Sequence, residues 1–355
     1  MTTQRFHYID TMRGFTMFLV VYYHVLVYTF GRGIATWSVN DIFVTFRMPL
    51  FFFLSGFLMY KANRFKEASS LCFFLQKKAK VQLFPTLVFS FLFALLLSVS
   101  YKSLLLDRFK NGYWFTYTLF FYFIIYAIGD FFVSKCTKGT VKIIIGSIIA
   151  ATIFAYAKYS VTPSCPWFNS TVSNLIGIPN FQFFIFFFFG ALVRARFKFV
   201  EKLLDQEKFT TTVIVGFILL QLVLQLPFSK QWFFTNGAHP VYTLLQSFTG
   251  FVGIAAVFIF FRKNEALISS SRVGIFFKYI GVRTLDIYLI HNILVFTNMH
   301  FVGAFLTKHF SFVNELVMGG IVTLLIIGLC LLISQFIRCS DTLAKLLFGK
   351  VITKS

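Results

Sequence analysis

Long apolar stretches recur along almost the whole chain and constrain its fold more than any other feature. The segment FQFFIFFFFGAL at residues 181–192 leaves a helix no polar face to turn toward water. Such stretches come close to the ~20 residues that a helix needs to cross a bilayer. The chain is 58% hydrophobic with a mean hydropathy of +0.79, a composition foreign to soluble domains. We therefore predict an all-α, polytopic integral membrane protein.

The apolar stretches predict about ten membrane-spanning helices in a single transmembrane domain, residues 1–355. They run from about residue 14 to residue 336 and leave a short tail at 337–355. The expected spans lie at residues 14–30, 41–60, 82–100, 113–133, 141–158, 175–193, 210–227, 240–261, 278–299 and 314–336.

The distribution of basic residues predicts the orientation of these spans. Counted from the N-terminus, every second loop carries most of the 33 Lys and Arg residues. The opposite loops hold Arg32, Lys102, Arg108, Lys110, Lys158, Lys230 and Lys308. Basic loops are retained on the cytoplasmic side, so we expect an even number of spans, both termini in the cytoplasm and a cytoplasmic tail. The net charge of +21 thus reflects topology, and we expect no nucleic-acid partner because the basic residues flank spans.

The first span carries ionisable residues along one side. In YIDTMRGFTMFLVVYYHVLVYTF, residues 8–30, Arg13 and His24 are eleven positions apart, so they project from one helix face roughly 16 Å apart. Asp10 lies one turn before Arg13. Ionisable groups inside a membrane usually have a functional role. In the alternative, Asp10 and Arg13 anchor the helix at the interface and His24 is a packing residue.

Two further spans carry polar groups at membrane depth. In the second span, Arg47 precedes Ser55 and Gly56, a small pair that permits close helix approach. The alternative for Arg47 is a side chain that reaches the outer interface. The ninth span contains Asp286 and His291, for which a structural pair is the alternative. The five cysteines lack metal-site spacing, so we expect no metal.

Four motifs in order carry a resemblance to a known family: IDTMRGFTMFLVVYYH, RMPLFFFLSGFLM, GYWFTYTLFFYF and TLDIYLIHN. Together they resemble the acyltransferase family 3 group of membrane acyltransferases. The family pattern of arginine, ten residues and histidine is met by Arg13 and His24, and its element of paired phenylalanines followed by Ser-Gly is met by Phe52, Phe53, Ser55 and Gly56. We expect the standalone type without a fused extracytoplasmic domain.

The resemblance implies transfer of an acyl group, most often acetyl, from cytoplasmic acyl-CoA to a hydroxyl of a cell-surface or secreted glycan or glycolipid. It implies catalytic roles for His24, Arg13, Asp10 and Arg47. Donor binding would fall to Arg13 with Lys77, Lys78 and Lys80, and Ser55, Trp114, Asp286 and His291 would line the substrate path. The expected location is a plasma membrane, as in the bacterial inner membrane, with a homo-oligomer or a glycan-synthesis complex as candidate assemblies.

The chain departs from the family pattern at two places. Many members carry paired arginines before the third span, where QKKAKVQLFP has lysines, which lack the bidentate fork of arginine. One branch has a glutamate in the fourth span, but WFTYTLFFYF has no carboxylate and is similar to the Trp-Phe-Leu branch.

Two other function classes stay open. One is a carrier that moves an anion, lipid or glycan without making a bond. The other is a scaffold, which would leave the polar residues unexplained.

Overall fold

The structure is a computed structural model that describes residues 6–31, 38–62, 64–136, 140–159, 171–226, 232–233, 235, 239–295, 298–309 and 311–349. Within these ranges it is helical and contains no β-strand, which confirms the all-α class. The α-helices are α1 (His7–His24), α2 (Asn40–Val44), α3 (Arg47–Met59), α4 (Ala68–Lys78), α5 (Phe84–Leu96), α6 (Tyr101–Leu106), α7 (Trp114–Cys136), α8 (Thr140–Tyr159), α9 (Thr171–Ile176), α10 (Phe184–Ala195), α11 (Phe197–Leu204), α12 (Glu207–Gln225), α13 (His239–Lys263), α14 (Glu265–Ser270), α15 (Arg272–Val282), α16 (Thr284–Leu294), α17 (His300–Lys308), α18 (Phe312–Ile337) and α19 (Asp341–Phe348).

Four short segments have a different helical geometry. Val25–Thr29 continues α1 as a π-helix, and Ala79–Leu83 joins α4 to α5 in the same way. Lys110–Gly112 and Ile178–Phe183 are 3₁₀ segments that lead into α7 and α10. Both π-helices begin directly after residues that the sequence singles out, His24 in one case and Lys78 in the other.

Among the described residues, seven helices are long and apolar enough to cross a membrane. They are Asn40–Met59, Ala68–Leu96, Trp114–Val133, Ile178–Ala195, Glu207–Gln225, Pro240–Lys263 and Phe312–Ile337. This confirms a protein with several membrane helices, whereas ten crossings and the side of each terminus stay predictions.

Three of the ten predicted spans fall outside this set for identifiable reasons. The first overlaps α1, whose 18 residues include Asp10 and Arg13 near the start and a histidine at each end, so it is less apolar than the seven helices above. The fifth corresponds to a shorter apolar helix, Val141–Ala157. The ninth, at 278–299, is not one continuous helix, because α15 ends at Val282 and α16 begins at Thr284.

The chain divides into two compact units. Unit 1 comprises Met1–Leu54, Arg196–Thr284 and Val295–Gly328, and unit 2 comprises Ser55–Ala195, Leu285–Leu294 and Leu329–Ser355. Each unit is assembled from three separate stretches of sequence, so a cut at one position does not divide the chain into them.

In unit 1, two glycines allow α1 and α15 to lie in close contact. A Cβ added at Gly14 would overlap the carbonyl group of Phe277, and one added at Gly281 would overlap that of Asp10. Small residues let two helix backbones approach in this way where lipid gives helices no hydrophobic reason to associate. The crossing lies beside Arg13, so it fixes the part of α1 that carries Asp10 and Arg13.

In unit 2, phenylalanine and tyrosine rings fill the space between α7 and α10. The ring of Phe187 lies 5.8 Å from that of Tyr122 and 5.6 Å from that of Phe123, both edge to face. A Cβ at Gly56 would overlap the carbonyl of Phe187, which confirms that the Ser55-Gly56 pair allows close helix approach. Aromatic rings favour such edge-to-face pairs, and the chain supplies 54 phenylalanines.

The predicted tail at 337–355 contains a packed helix, α19. Ser340 caps its start by accepting a hydrogen bond from the Leu343 amide at 3.4 Å, and Gly349 ends it in the left-handed conformation with φ +67°. Phe348 is fully buried and stacks on Phe89 of α5 at 5.8 Å. The serine and glycine signals for this helix were present in the sequence, outside the apolar stretches.

Candidate functional site

Arg13 is held by partners on two helices of unit 1. Its guanidinium donates a hydrogen bond from Nη2 to Thr284 Oγ1 at 2.8 Å, and its Nη1 lies 3.6 Å from Asp10 Oδ1. The carboxylate of Asp10 is largely buried, whereas 28% of the Arg13 side chain is exposed. The structure therefore joins Asp10 and Arg13 in one ion pair and leaves part of the cation open to a ligand.

His24 is the last residue of α1 and is 8% exposed. Because α1 is an uninterrupted α-helix from His7 to His24, the expected common face of Arg13 and His24 holds. The imidazole lies between aromatic neighbours in sequence, with ring centroids 5.4 Å from Tyr23 and 5.5 Å from Tyr28. The π-helix that follows widens the turn after His24, and such π segments are frequent at functional sites.

Arg47 lies within unit 1 next to the residue before His24. Its guanidinium carbon lies 4.0 Å from the centroid of the Tyr23 ring, a cation–π contact, and its Nη1 donates to Asn40 Oδ1 at 3.1 Å. Arg47 is only 7% exposed. It is thus packed against protein, which disagrees with the alternative of a side chain that reaches out to the interface.

The three predicted donor-binding lysines of unit 2 differ in their surroundings. Lys77 and Lys80 are exposed, whereas Lys78 is half-buried with its Nζ 3.8 Å from the centroid of the Phe123 ring. Lys80 belongs to the π-helix, which changes the register of the side chains that follow α4. Lys77 and Lys80 are therefore the two positions at which a phosphate can approach without displacing an aromatic contact.

A further cation of unit 2, Arg64, shares the aromatic surroundings of Lys78. The guanidinium carbon of Arg64 lies 4.8 Å from the Phe74 centroid, and Nη1 donates to the Met59 carbonyl at 2.9 Å. Burial lowers the pKa of Arg64 from its ordinary value. Because an arginine stays charged even then, this group adds positive charge close to the lysines.

Asp286 is fully occupied by partners within unit 2. Arg338 donates to both of its carboxylate oxygens, from Nη2 at 2.9 and 2.7 Å and from Nε at 2.9 Å, and Ser334 donates at 2.6 Å. Asp286 is 2% exposed. The structure therefore pairs Asp286 with Arg338 and not with His291 of its own helix, and a substrate-lining role for Asp286 stays a prediction that the geometry does not favour.

His291 lies one turn along α16 and is also buried. Its Nδ1 is 3.0 Å from the Ile287 carbonyl, and its ring lies 5.6 Å from that of Tyr288. The Tyr288 hydroxyl donates to the Gly112 carbonyl and accepts from the Phe115 amide. These contacts link α16 to the start of α7, directly beside Trp114.

The turn before Trp114 has an unusual backbone. Lys110, Asn111 and Gly112 have φ values of 47°, 48° and 97°, three successive residues in the left-handed region. The Lys110 amine donates to the carbonyls of Leu105 at 2.6 Å and Asn174 at 2.9 Å, and burial lowers its pKa to about 8. Left-handed non-glycine residues persist where their surroundings hold them, so this turn sets where α7 begins.

Trp114 and Ser55 are the remaining predicted lining residues. The Trp114 ring is half-buried and lies 5.7 Å from that of Phe183 and 6.3 Å from that of Phe109. Ser55 is half-buried within α3, next to the close approach at Gly56. The structure thus places each predicted residue: Asp10 with Arg13, Tyr23 against both His24 and Arg47, and the others in separate surroundings of unit 2.

Sequence reasoning missed three residues that hold these groups. The sequence near Thr284 and Arg338 does not indicate their roles, since each contacts a residue far away in sequence, Arg13 in one case and Asp286 in the other. Glu315 had a signal: it is the sole charged residue of α18 and is fully buried. An ionisable residue within an apolar helix is a candidate by default.

Within the described residues, no group of three His, Cys, Asp or Glu side chains could hold a metal ion. Cys72, Cys330 and Cys339 have free thiols, and Cys165 lies outside the described residues.

A comparison with protein-family models identifies the family of the chain. A model described as an acyltransferase domain matches residues 6–335, which includes α1, Arg47 and α16. No curated protein and no solved structure gives a significant match. Since the match covers nearly the whole chain, the protein belongs to acyltransferase family 3 and is a membrane acyltransferase.

Proposed function

We propose that the protein is a membrane O-acyltransferase, and specifically an O-acetyltransferase. The donor is cytoplasmic acyl-CoA, with acetyl-CoA the expected species, and the acceptor is a hydroxyl of a cell-surface or secreted glycan or glycolipid. One observation carries this proposal: Arg13 and His24 lie on a single uninterrupted helix, with the cation held by Asp10 and Thr284.

The spacing of these two residues suits a coenzyme A thioester. The donor has phosphates at one end and its reactive carbonyl at the end of a long pantetheine arm. Arg13 is a proposed phosphate contact because its side chain is partly exposed. Among the three lysines proposed to bind the donor, Lys77 and Lys80 are exposed. The roughly 16 Å between Arg13 and His24 then gives the arm room to bring the thioester to the imidazole.

His24 supplies either of two reactions. In direct transfer the imidazole removes the proton of the acceptor hydroxyl while its oxygen bonds to the thioester carbon. The C–S bond then breaks, and the imidazolium returns the proton to the thiolate. In two-step transfer an imidazole nitrogen bonds to the thioester carbon, the C–S bond breaks, and the thiolate takes up the N–H proton of the ring and leaves as the thiol. The acceptor hydroxyl then bonds to the acyl carbon, the C–N bond to His24 breaks, and the hydroxyl proton returns to the imidazole.

Arg47 is the proposed stabiliser of the negative oxygen that forms in either route. Its guanidinium is buried and packed on Tyr23, the residue before His24. Among the described residues Asn40 is its hydrogen-bond acceptor, and the guanidinium has five N–H donors. Donors that are already oriented in a buried site stabilise developing charge without reorganisation.

A thioester assay tests the proposal. The full chain is purified in detergent and given radiolabelled acetyl-CoA, and free thiol and protein-bound label are measured. Thiol release above a protein-free control supports the enzyme, and label on a histidine supports the two-step route. The carrier alternative predicts the opposite pattern, which is counterflow of an anion or glycolipid in sealed vesicles while the thioester stays intact.

A further inference from the structure

We propose that Glu315 is a positioning residue that sets the geometry of Arg47, an inference that rests on the proposed function of Arg47. Glu315 lies in the first turn of α18 and is 0% exposed. A buried carboxylate is costly unless hydrogen bonds satisfy it. The hydrogen bonds of Glu315 therefore show which part of unit 1 its carboxylate stabilises.

The carboxylate of Glu315 fixes the segment that begins at Ser38. Its Oε1 accepts a hydrogen bond from Ser38 Oγ at 2.6 Å and another from the Val39 amide at 2.8 Å. Hydrogen bonds to a charged acceptor are shorter and stronger than neutral ones. The start of α2 is thus anchored to α18 by a contact between residues 277 positions apart in the chain.

The anchored segment in turn holds Arg47. Ser38 Oγ also accepts a hydrogen bond from the backbone N–H of Asn40 at 3.1 Å, and the side-chain Oδ1 of Asn40 accepts one from Arg47 Nη1 at 3.1 Å. Asn40 is buried, as is Arg47. A continuous set of hydrogen bonds therefore runs from Glu315 through Ser38 and Asn40 to the guanidinium that packs on Tyr23.

Two glutamines of α12 hold the same segment from another helix. Gln221 Nε2 donates to Thr45 Oγ1 at 2.6 Å and to the Ile42 carbonyl at 3.2 Å, and Gln225 Nε2 donates to the Asp41 carbonyl at 2.9 Å. Residues 38–45 are thus fixed by side chains of α18 and of α12. Neighbouring groups that lock a functional side chain give a site its geometric accuracy, which is the role assigned here to Glu315.

A general packing role for Glu315 makes different predictions from a positioning role. Loss of packing lowers stability and affects turnover independently of Arg47. Positioning acts through Arg47, so the effects of the two substitutions on turnover are not additive. Glutamine keeps a carbonyl oxygen that accepts both hydrogen bonds, and we expect Glu315→Gln to preserve positioning that Glu315→Ala removes.

The experiment measures kcat and KM for acetyl-CoA thiol release by the purified full chain. The variants are Glu315→Ala, Glu315→Gln, Arg47→Ala and the Arg47→Ala/Glu315→Ala double variant, with the exposed Glu207→Ala as the matched control. We expect Glu315→Ala to lower kcat about tenfold with little change in KM, as removal of an interaction made in the transition state does. Glu315→Gln and Glu207→Ala stay within about threefold of the parent chain, and the double variant equals Arg47→Ala.

The possible outcomes separate this inference from the proposed function. If Arg47→Ala turns over normally, the proposed role of Arg47 is wrong and the inference is wrong with it. If Arg47→Ala is impaired but the double variant loses the product of both factors, or Glu315→Gln is as poor as Glu315→Ala, the inference alone is overturned. Should Glu315→Ala not fold, Ser38→Ala removes the next hydrogen bond of the set, and the same test of additivity with Arg47→Ala applies.

Discussion

Arg13 and His24 lie on the same helix but have different surroundings. Arg13 is tied to Asp10 and Thr284 and stays 28% exposed, whereas His24 is buried beside two tyrosine rings. A partly exposed cation suits the charged end of a donor, and a buried imidazole suits the reacting end. At the scale of single residues the arrangement suits the proposed separation of donor binding at Arg13 from chemistry at His24.

A pair of substitutions at this scale tests the role of Arg13. We expect Arg13→Ala to raise KM for acetyl-CoA about tenfold, because a charged hydrogen bond contributes on the order of 1.5–3 kcal/mol. Thr284→Val, which removes the neutral partner but keeps the charge, has a smaller effect on KM. Steady-state thiol release measures both, and equal KM values for Arg13→Ala and the parent chain would contradict the assignment.

Several residues of the candidate site were predictable from the sequence, but several of their partners were not. A spacing of eleven positions has a fixed meaning on an α-helix, so Arg13 and His24 could be placed on one face. Arg338 could not be assigned to Asp286, since their contact joins residues 52 positions apart and depends on how α18 packs. Glu315 was detectable as a lone charge in an apolar helix.

Individual helices begin, end and approach one another where glycines and π-helices permit it. The two π-helices follow His24 and Lys78. They were not predicted, because a π-helix adds only one residue to a helical turn and the pattern of apolar residues does not reveal it. The close crossing of α1 and α15 at Gly14 and Gly281 was likewise not predicted. Glycines are visible in a sequence, but which of them meet depends on tertiary packing.

Alanine substitutions test this crossing. We expect Gly14→Ala and Gly281→Ala each to destabilise the protein by about 1–3 kcal/mol, because a new Cβ would overlap a backbone carbonyl and the helices must separate. Gly216 and Gly320 have no atom within 4 Å of such a Cβ, so alanine there is neutral or stabilises by up to about 1 kcal/mol. Thermal unfolding in detergent measures all four, and equal midpoints would contradict the close crossing.

The segment from α4 through the π-helix to α5 gives a prediction about donor binding. Neutralising Lys77, Lys78 and Lys80 together should weaken acetyl-CoA binding, and the loss should shrink at high salt because phosphate contacts are screened. Because Lys78 also contacts Phe123, the Lys77→Gln/Lys80→Gln variant isolates the exposed charges. Binding isotherms at low and high salt check this, and an unchanged affinity in the folded triple variant would remove the lysines from the donor site.

For the whole molecule, composition predicted a helical membrane protein, and the structure and the family match agree. The number of crossings is harder to predict, because apolar length alone does not distinguish one helix from two. The stretch at 278–299 shows why: it is long enough for one span, yet α15 ends at Val282 and α16 begins at Thr284.

Cysteine labelling tests the orientation of the whole chain. In a cysteine-free background, single cysteines next to Lys78, Lys202 and Arg272 should be protected from an impermeant reagent added outside intact cells. Cysteines next to Lys102 and Lys308 should react, because sparsely basic loops face outward. Reversal at two of these positions would contradict an even number of spans with cytoplasmic termini.

The most direct test of the central claim, that His24 performs the chemistry, compares His24→Gln with the parent chain in acetyl-CoA binding and in acetyl transfer to membrane glycolipid extract. Glutamine preserves hydrogen bonding but cannot take up a proton or an acyl group, so we expect a loss of transfer of about a hundredfold or more with acetyl-CoA affinity unchanged. His309→Gln, at a residue outside the proposed site, is the matched control and should retain activity. Normal transfer by a correctly inserted, stable His24→Gln protein would show that the imidazole is a packing residue and would contradict the account.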